Sequence, residues 1–448
     1  MKKQNNIKIH LISLGCDKNR VDSEKFLYTF LDRFKDAVVV DDVNKANFVI
    51  VNTCAFINDA KRESISTLKK LIQKKSKNKK LKILVIGCLV KDIREFKNST
   101  KITEFCDKLN LESGKLFKNI DYTLSIDEYS SSIDRCVTRI RDINSYSSYL
   151  KISEGCNRYC SYCRIPYLRG KFRSVPMERL VREAEGLARN GTRELNIVAQ
   201  DVLPYGIDLY KQEKLPDLLD KLSDIEEIDW IRLLYCYPED FSDEIIDCIA
   251  RNKKIVKYID MPIQHISNYV LKSMNRQTTS KEIIDIIAKL RKRIPNIKLR
   301  TTLMVGYPEE TQRDFFDLLK FVKETKFDRL GVFCFSKQLG TYAHRLEDVV
   351  PDKVKNERRH IILDAQKQIS YELNKQYVGQ KLKVMCEGFL RDRKCYVGRT
   401  EFDAPGVDNK VYFVDTKNKY NDRNPLYSGS IISVKIKDHD EYDLFGEI

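Results

Sequence analysis

The sequence lacks any run of about 18 consecutive apolar residues, the length that a membrane-spanning helix needs. Its opening residues carry the positive charge of a signal peptide but lack the apolar core of one, so they are typical of the approach to a strand. Low-complexity tails are also absent. With 42% hydrophobic and 33% charged residues, the composition is that of globular domains, and we expect a cytoplasmic protein.

Thirteen cysteines stand out in a chain of 448 residues, which is long enough for two or three domains. A disulfide framework is not expected in a reducing cytoplasm, so metal or redox use is the better explanation for some of these thiols. Seven are scattered among apolar or strand-like residues, and we expect them to be plain buried thiols. These seven are Cys106, Cys136, Cys236, Cys248, Cys334, Cys386 and Cys395.

The charge is unbalanced, with 81 basic and 65 acidic residues and a net charge of +16. Such an excess favours a polyanionic partner, such as RNA or a ribosome-associated surface, through long-range attraction and counterion release. Eight of the fourteen residues from Lys69 to Lys82 are lysine, but a solvated helix end explains this run equally well. A lysine-rich organism would also explain the excess, and charge alone leaves both explanations open.

Residues 1–140 alternate strand and helix patterns. Three apolar runs are typical of buried parallel strands, and two helical patterns alternate with them. The expected strands are 7–14, 48–52 and 83–87, and the expected helices are 22–34 and 59–72. We therefore expect a small α/β domain, in which functional residues lie at the carboxyl ends of the strands.

Residues 141–377 contain six consecutive strand–helix units, which predict parallel strands joined by right-handed crossovers. The expected strands are 149–153, 194–199, 231–235, 258–261, 298–304 and 329–335. Six units are too few to close an eight-stranded barrel, so we expect a partial (βα)6 TIM-like barrel with its chemistry at the C-terminal ends of the strands. Residues 378–448 change to short β-rich pieces divided by turns, which predict a five-stranded antiparallel barrel.

Cys156, Cys160 and Cys163 are spaced as CxxxCxxC just beyond the first strand of the partial barrel, where this fold places its chemistry. Three thiolates can hold three irons of a [4Fe–4S] cube and leave the fourth iron open, a position that other iron–sulfur proteins fill with a fourth cysteine. The alternative is zinc, but structural zinc sites use four closed ligands, and no fourth cysteine or histidine lies nearby. An aromatic residue, Tyr162, precedes the last cysteine.

This motif resembles that of the radical S-adenosylmethionine (SAM) superfamily, in which the residue at the position of Tyr162 contacts the adenine. The resemblance implies that the open iron binds SAM and that an electron from the cluster breaks a carbon–sulfur bond to release a 5′-deoxyadenosyl radical. It also implies that a turn with Gly306, Pro308 and Glu310 borders the cofactor, although relatives often have glycine just before this glutamate. Gln200 ends the second strand and faces the same mouth, but a plain turn and helix cap is nearly as good an explanation.

A second set of cysteines follows the apolar runs of the first domain, since Cys16, Cys54 and Cys88 each come directly after one. Neighbouring strands lie about 4.8 Å apart, so three thiols at parallel strand ends can converge on one edge of the sheet. Gly15 and Gly87 precede two of them and would allow close approach. These positions predict a second three-cysteine cluster, whereas a zinc site there would give about four irons per chain instead of about eight.

The two cysteine sets together with a small C-terminal barrel resemble the radical SAM methylthiotransferases over nearly the whole chain. The resemblance implies a methylthiotransferase domain at 1–140, a radical SAM domain at 141–377 and a substrate-recognising TRAM-like domain at 378–448. It implies two [4Fe–4S] clusters and two equivalents of SAM, one cleaved and one donating methyl. One cluster generates the radical, and the strand-end cluster carries the sulfur and methyl. An electron donor of flavodoxin or ferredoxin type is implied as a partner, and no catalytic acid or base is assigned.

Two branches of this family differ in substrate. One makes 2-methylthio-N6-isopentenyladenosine in tRNA, and the RimO type modifies the β carbon of an aspartate in ribosomal protein S-twelve. Residues 14–24 read Leu-Gly-Cys-Asp-Lys-Asn-Arg-Val-Asp-Ser-Glu and resemble the RimO type, although Asp17 replaces the usual proline. Three further segments, 51–61, 168–174 and 398–405, resemble the same branch.

The last domain resembles the TRAM domain, which binds RNA in the tRNA enzymes, yet residues 379–448 contain twelve basic and twelve acidic residues. RNA binding needs clustered positive charge, so a neutral domain with an acidic end at 438–443 favours a basic ribosomal protein and association with the ribosome. Ordinary loop charges are an alternative explanation of this charge balance. Two alternative functions also stay open, namely tRNA methylthiolation and a non-catalytic iron–sulfur protein that binds RNA. His265 is a candidate for positioning the substrate carboxylate, although a histidine that satisfies a buried carbonyl is commoner.

Overall fold

The computed structural model describes residues 7–96, 119–142, 145–416, 420 and 426–448, so the predicted buried thiol at Cys106 lies outside the described residues. The chain divides into two compact units. Unit 1 comprises Met1–Arg141, Glu154–Val175 and Ser336–His344, and unit 2 comprises Asp142–Ser153, Pro176–Phe335 and Arg345–Ile448. The segment with the CxxxCxxC motif therefore belongs to the same unit as the N-terminal sheet.

Unit 1 is built on a five-stranded parallel sheet in the order β2-β1-β3-β4-β5. Its strands are β1 (Lys8–Ser13), β2 (Val38–Val39), β3 (Phe48–Thr53), β4 (Lys82–Gly87) and β5 (Tyr122–Leu124). Its longer helices are α1 (Asp17–Arg33), α2 (Asn58–Lys77), α3 (Cys88–Phe96) and α4 (Ile126–Asp134). Strands β3 and β4 are almost entirely buried, as apolar parallel strands usually are.

The three strands predicted for this sheet are confirmed to within one residue at each end. Helix α1 begins at Asp17, five residues before its predicted start, because its first turn is polar and shows no apolar period. Helix α3, which begins at Cys88, was not predicted, since nine residues are too few for a clear helical period. The edge strands β2 and β5 were also missed, because two and three residues form no alternating pattern.

The remaining segments of unit 1 are short. Strand β7 (Ser153–Glu154), whose second residue begins this stretch of unit 1, and strand β8 (Arg173–Ser174) flank the motif segment, which contains the helix α5 (Ile165–Arg169). Leu168 of α5 is fully buried and belongs to the same apolar cluster as the sheet residues Ile9 and Val51. The motif segment is thus anchored in the core of the N-terminal sheet.

Unit 2 contains a six-stranded parallel sheet in the order β6-β9-β10-β11-β12-β13, which confirms the predicted partial barrel. The strands are β6 (Ser147–Lys151), β9 (Glu194–Val198), β10 (Trp230–Leu233), β11 (Ile255–Asp260), β12 (Lys298–Val305) and β13 (Arg329–Cys334). The helices are α6 (Met177–Arg189), α7 (Ile207–Tyr210), α8 (Leu215–Ser223), α9 (Asp243–Arg251), α10 (Asn268–Ser273), α11 (Ser280–Arg293), α12 (Gln312–Thr325) and α13 (Asp352–Lys375). Across the described ranges of the chain, no helix is both long and apolar enough to cross a membrane.

The C-terminal part of unit 2 is a closed barrel in the order β14-β15-β16-β18-β17. Its strands are β14 (Lys381–Leu390), β15 (Cys395–Thr400), β16 (Val411–Val414), β17 (Ile431–His439) and β18 (Leu444–Glu447). The predicted five-stranded barrel is confirmed, with the difference that β16 and β18 pair in parallel. A closed ring with an odd number of strands cannot alternate direction throughout, so at least one parallel pair is unavoidable.

Buried ion pairs join this barrel to the six-stranded sheet within unit 2. The guanidinium of Arg399, on β15, donates to both carboxylate oxygens of Glu194, the first residue of β9. Arg232 of β10 donates to the same carboxylate at 3.1 Å. Arg329 of β13 donates to Asp403 at 2.6 Å. The segment around Arg399, one of the four that resemble the RimO type, is therefore part of the packing between barrel and sheet.

Candidate functional site

Three cysteines lie at the carboxyl ends of neighbouring strands in unit 1. Cys16 follows β1, whereas Cys54 and Cys88 come directly after β3 and β4, and the strand register brings the three ends to one edge of the sheet. Cys54 and Cys88 are buried and Cys16 is exposed. Burial, with smaller contributions from Cys54 and Cys16, raises the pKa of the Cys88 thiol to about 12 against the opposing charge of Arg169. Cys54 and Cys16 thus lie near enough to Cys88 to influence the pKa of its thiol.

Two glycines permit this approach. Gly15 has a φ of +87°, and a Cβ added to it would lie 2.5 Å from the Cβ and 2.8 Å from the Sγ of Cys54. Gly87 has a φ of +98°, and its added Cβ would lie 2.6 Å from the backbone oxygen of Thr53. Both conformations are in the left-handed region that favours glycine. A side chain at either position would displace the strand ends that carry the cysteines.

Polar side chains hold the turns around these cysteines. The hydroxyl of Ser64, on α2, donates to the carbonyl of Cys54 at 2.9 Å and accepts from its N–H at 3.1 Å. The side-chain amide of Asn19, on α1, donates to the carbonyls of Leu14 and Thr53, which lie just before the first two cysteines. Sequence reasoning missed Ser64 and Asn19. The available signal for Asn19 was its place in segment 14–24, which resembles the RimO type.

The cysteines of the CxxxCxxC motif lie between β7 and α5 in unit 1. Cys156 and Cys160 are buried, and Cys163 is half-buried. The backbone N–H of Arg158 lies 3.5 Å from Sγ of Cys156, and that of Ile165 lies 3.4 Å from Sγ of Cys163. Hydrogen bonds to sulfur stabilise thiolates and tune the clusters that they bind. Burial and the neighbouring thiols raise the pKa of Cys163, which the N–H of Ile165 lowers.

Both cysteine sets can be tested against the kind of group that they would hold. Across the described ranges, no three His, Cys, Asp or Glu side chains lie close enough to hold one metal ion. A four-iron cube is wider than a single ion, so its thiolates stand further apart. The buried sulfurs, the two N–H groups directed at them and the glycine that makes room beside Cys54 all fit such a cube. The twelve cysteines in the described part of the chain are free thiols.

The prediction that the scattered cysteines are buried is only partly correct. Those that are buried are Cys236, Cys248 and Cys386, and those that are half-buried are Cys136, Cys334 and Cys395. Each of the half-buried thiols lies at or next to the end of a strand or helix, where packing on all sides is incomplete.

A buried arginine that sequence reasoning missed lies beside the strand-end cysteines. Arg169, the last residue of α5, donates from Nη1 to Asp22 Oδ2 at 2.6 Å and to Glu154 Oε2 at 3.0 Å, and its guanidinium also bonds the side chain of Asn19. The positive charge of the guanidinium also lowers the pKa of the nearby Cys88 thiol, against the larger effect of burial. Burial opposes its charge, but the surrounding anionic groups outweigh burial and raise the pKa of Arg169, so it is a cation.

The residues predicted to contact SAM divide between the two units. Tyr162 is half-buried in unit 1, and the other four are in unit 2. Gly306 follows β12 directly with a φ of +68°, and Pro308 is buried in the turn after it. Gln200 is half-buried, two residues beyond the end of β9. Gly306, Pro308 and Gln200 thus lie just beyond the carboxyl ends of their strands, which is where the sequence predicted them.

The carboxylate of Glu310 holds this turn from inside. It accepts from the N–H of Gly306 at 2.6 Å and of Tyr307 at 3.2 Å, and it pairs with Arg358 at 2.7 Å, with no exposed side-chain surface. Burial raises the pKa of Glu310 to about 7, although Arg358 and the two N–H groups oppose it. Glu309 has a φ of +73°, so this glutamate takes a backbone conformation that favours glycine.

His265 is fully buried and contacts the same carboxylate. Its Nδ1 accepts from the N–H of Ser267 at 3.0 Å, and its Nε2 lies 3.8 Å from Oε2 of Glu310. Burial lowers the pKa of His265 to about 4, so the ring is neutral near pH 7. Its Nδ1 thus has a backbone N–H as partner, whereas Nε2 faces the carboxylate of Glu310 beyond hydrogen-bond distance.

Comparisons with known proteins divide the chain into three parts. The model of the radical SAM superfamily matches residues 150–322, that of the TRAM domain matches residues 378–448, and that of an uncharacterized protein family, UPF0004, matches residues 8–105. Among solved structures, a radical S-adenosylmethionine methyltransferase, TsrM, from Kitasatospora setae aligns with a TM-score of 0.50 over 73% of each chain. At 13% identity this likeness concerns the fold alone.

Curated relatives match the chain along almost its entire length. The ribosomal protein uS12 methylthiotransferase RimO of Lachnoclostridium phytofermentans is 42% identical over 98% of this chain and 99% of its own. The protein of the same name from Caldanaerobacter subterraneus subsp. tengcongensis is 44% identical, again over 98% and 99%. That of Clostridium botulinum is 42% identical over 99% and 98%. The chain therefore belongs to the RimO family of radical SAM methylthiotransferases.

Proposed function

We propose that this protein inserts a methylthio group at the β carbon of an aspartate in ribosomal protein uS12 (S-twelve), using two [4Fe–4S] clusters and SAM. The observation that carries the proposal is the identity of 42–44% along almost the whole chain to proteins named for that reaction. The two cysteine sets in unit 1 are what such a reaction needs, since one site must generate a radical and another must deliver sulfur.

Cys156, Cys160 and Cys163 hold the first cluster in this proposal. A cluster with one open iron, together with SAM, supplies one-electron chemistry that can remove a hydrogen atom from an unactivated carbon, which no side chain can do unaided. The protein contributes two buried thiols, one half-buried thiol and the N–H groups of Arg158 and Ile165, which stabilise the charge on sulfur.

Cys16, Cys54 and Cys88 hold the second cluster, from which sulfur and methyl are delivered. The exposed position of Cys16 beside two buried thiols leaves one side of this site accessible, which suits a group that must meet a substrate. Gly15 and Gly87 keep the strand ends close, and Ser64 fixes the backbone of Cys54.

Tyr162, Gly306, Pro308 and Gln200 are the proposed contacts of SAM. Glu310 has a different part in this proposal, because its carboxylate is turned inward to the N–H groups of the turn. It shapes the backbone that borders the cofactor instead of touching the cofactor itself.

The acidic end of the C-terminal barrel supports the protein substrate only weakly. Glu441 pairs with Lys367 at 2.7 Å, and Asp440 accepts from the N–H groups of Tyr442 and Asp443. These carboxylates are thus partly engaged within the chain. The choice of uS12 over tRNA as substrate therefore rests on the relatives and on the RimO-type segments. The proposal also includes a cytoplasmic location, association with the ribosome and an electron donor of flavodoxin or ferredoxin type.

Mass spectrometry of uS12 from a deletion strain tests the substrate. We expect the aspartate to lose one methylthio group and to regain it when the gene is restored. Unchanged uS12, together with loss of a methylthio-nucleoside from bulk tRNA, would replace this proposal by tRNA modification.

Iron and sulfide analysis of anaerobically purified protein tests the two sites. We expect about eight irons per chain, about four in Cys54→Ala and about four in Cys160→Ala. Of these two variants, only Cys54→Ala should still release 5′-deoxyadenosine from SAM with dithionite. Cys334→Ala is the matched control, since this half-buried thiol lies in unit 2 and should leave the iron content unchanged. About four irons in the unaltered protein would contradict the second cluster.

A further inference from the structure

Residues 164–169 connect the two cysteine sets of unit 1, and we call them the clamp segment. The segment begins directly after Cys163 and ends at Arg169, which bonds the side chain of Asn19 on the helix that follows Cys16. Leu168, the residue before Arg169, anchors the segment, because this side chain is fully buried in the core of the N-terminal sheet. One short piece of chain is therefore attached to both sets.

The first end of the clamp segment is held by Arg164. Its Nη2 donates to Oδ1 of Asp92 at 3.0 Å, and the other oxygen of Asp92 pairs with Lys61 at 2.8 Å. All three side chains are at most 2% exposed. Asp92 lies one helical turn after Cys88 on α3, so this ion pair ties the residue next to Cys163 to the helix that opens with a strand-end cysteine.

The second end is held by Arg169, whose partners come from both sides. Asp22 lies on α1, the helix that follows Cys16, and Glu154 lies two residues before Cys156. A guanidinium presents its donors in a rigid planar fork, so bonds to Asp22, Glu154 and Asn19 together fix the position of each relative to the others. A lysine ammonium, which is a point charge on a flexible stem, cannot hold these three partners in fixed positions.

We propose that Arg164 and Arg169 are positioning residues that set the spacing between the two cluster sites. The proposal rests on the function proposed for the two cysteine sets. Buried ion pairs are a poor source of stability, because desolvation offsets their attraction, and apolar side chains would pack this helix equally well. What the ion pairs of Arg164 and Arg169 add is a fixed geometry. A carbon that loses hydrogen at one site must meet sulfur from the other, and small misplacements of reacting groups cost large factors in rate.

The variants Arg164→Lys and Arg169→Lys test the proposal. Lysine keeps the charge but cannot hold several partners in a fixed fork. We expect both variants to fold and to retain about eight irons. We expect the yield of methylthiolated uS12 per 5′-deoxyadenosine to fall by up to about 100-fold, because SAM cleavage continues while transfer fails. A second readout is electron paramagnetic resonance of the reduced protein, in which the mutual broadening of two neighbouring clusters should change with their distance.

Arg329→Lys is the matched control, since the side chain of Arg329 is mostly buried and is paired with Asp403 in unit 2. It should leave both the product ratio and the spectra unchanged. Lysine variants of the clamp segment that match the unaltered protein in both readouts would overturn the proposal. So would a failure of these variants to fold or to load iron, because the arginines would then be merely structural. If the unaltered protein itself binds about four irons or releases no 5′-deoxyadenosine, the proposed function fails instead.

Discussion

Buried arginines occur in both compact units, but they contact different parts of the protein. In unit 1, Arg164 and Arg169 pair with carboxylates that lie within a few residues of the cysteines. In unit 2, Arg399 and Arg232 share the carboxylate of Glu194 between the barrel and the six-stranded sheet. Arginine–carboxylate pairs therefore surround the cysteine sets in unit 1, whereas in unit 2 they join the barrel to the six-stranded sheet.

A mutation should therefore have different consequences in the two units. Changes around the cysteines of unit 1 should alter iron content or reaction outcome more than the free energy of unfolding. Changes in the ion pairs of unit 2 should do the reverse.

The largest effect is expected from Gly15→Ala. The added methyl group would lie 2.5 Å from Cβ of Cys54 in a backbone conformation that alanine rarely adopts. We expect the strand-end cluster to be lost, with iron falling from about eight to about four per chain and methylthiolation abolished.

Gly186→Ala is the control for this prediction. Gly186 lies inside α6, and its added Cβ would meet no atom within 4 Å. We expect unchanged iron and a gain of about 0.4–1 kcal/mol in the free energy of unfolding. Full iron content in Gly15→Ala would show that unit 1 tolerates crowding at its cysteines.

The second largest effect is expected from Arg399→Met in unit 2. Removing this cation leaves the carboxylate of Glu194 buried with less compensation, which typically costs about 3–5 kcal/mol of unfolding free energy. Urea denaturation measures the loss, and the iron content should stay at the level of the unaltered protein. Loss of iron without loss of stability would erase the contrast between the units.

The third prediction concerns pH. Burial opposes ionisation of Glu194, but Arg399 and Arg232 outweigh it and lower the pKa of its carboxyl from 4.5 to about 2. Because the folded-state pKa is depressed, the stabilisation is present above about pH 4.5 and is lost as the pH falls towards 2, by about 3 kcal/mol in all. Denaturation of the unaltered protein and of Glu194→Gln across this range measures it. Parallel pH profiles in the two proteins would contradict the prediction.

The smallest effect is expected from Arg62→Ala on α2. Arg62 pairs with Asp59 at 2.6 Å, but both side chains are mostly exposed. Exposed ion pairs of this kind contribute below about 1 kcal/mol. Thermal unfolding should therefore change little and iron not at all, although Arg62 lies only eight residues beyond Cys54. A large change would show that surface charges in unit 1 act on its site.

The positions of the strand-end cysteines could be predicted because a parallel sheet places every carboxyl end at one edge. Apolar runs reveal such strands directly, so Cys16, Cys54 and Cys88 followed from the sequence. The partners of Arg169 could not be predicted, since Asp22 lies 147 residues away and no local pattern reports such a contact. Short elements such as α5 and β5 were missed for a similar reason: their residues are too few to show a period.

The assembly of unit 1 from three separated stretches of chain has a consequence for synthesis on the ribosome. The N-terminal sheet can form as soon as its strands emerge, since chains usually fold from the N-terminus onward. Arg169 and the CxxxCxxC motif emerge only later, and Ser336–His344, where the N–H of Ala343 donates to the carbonyl of Ser161 at 2.8 Å, later still. Until then Asp22 and Asp92 lack their arginine partners. The strand-end cysteines therefore come together in the growing chain before Arg169 and the CxxxCxxC motif reach them.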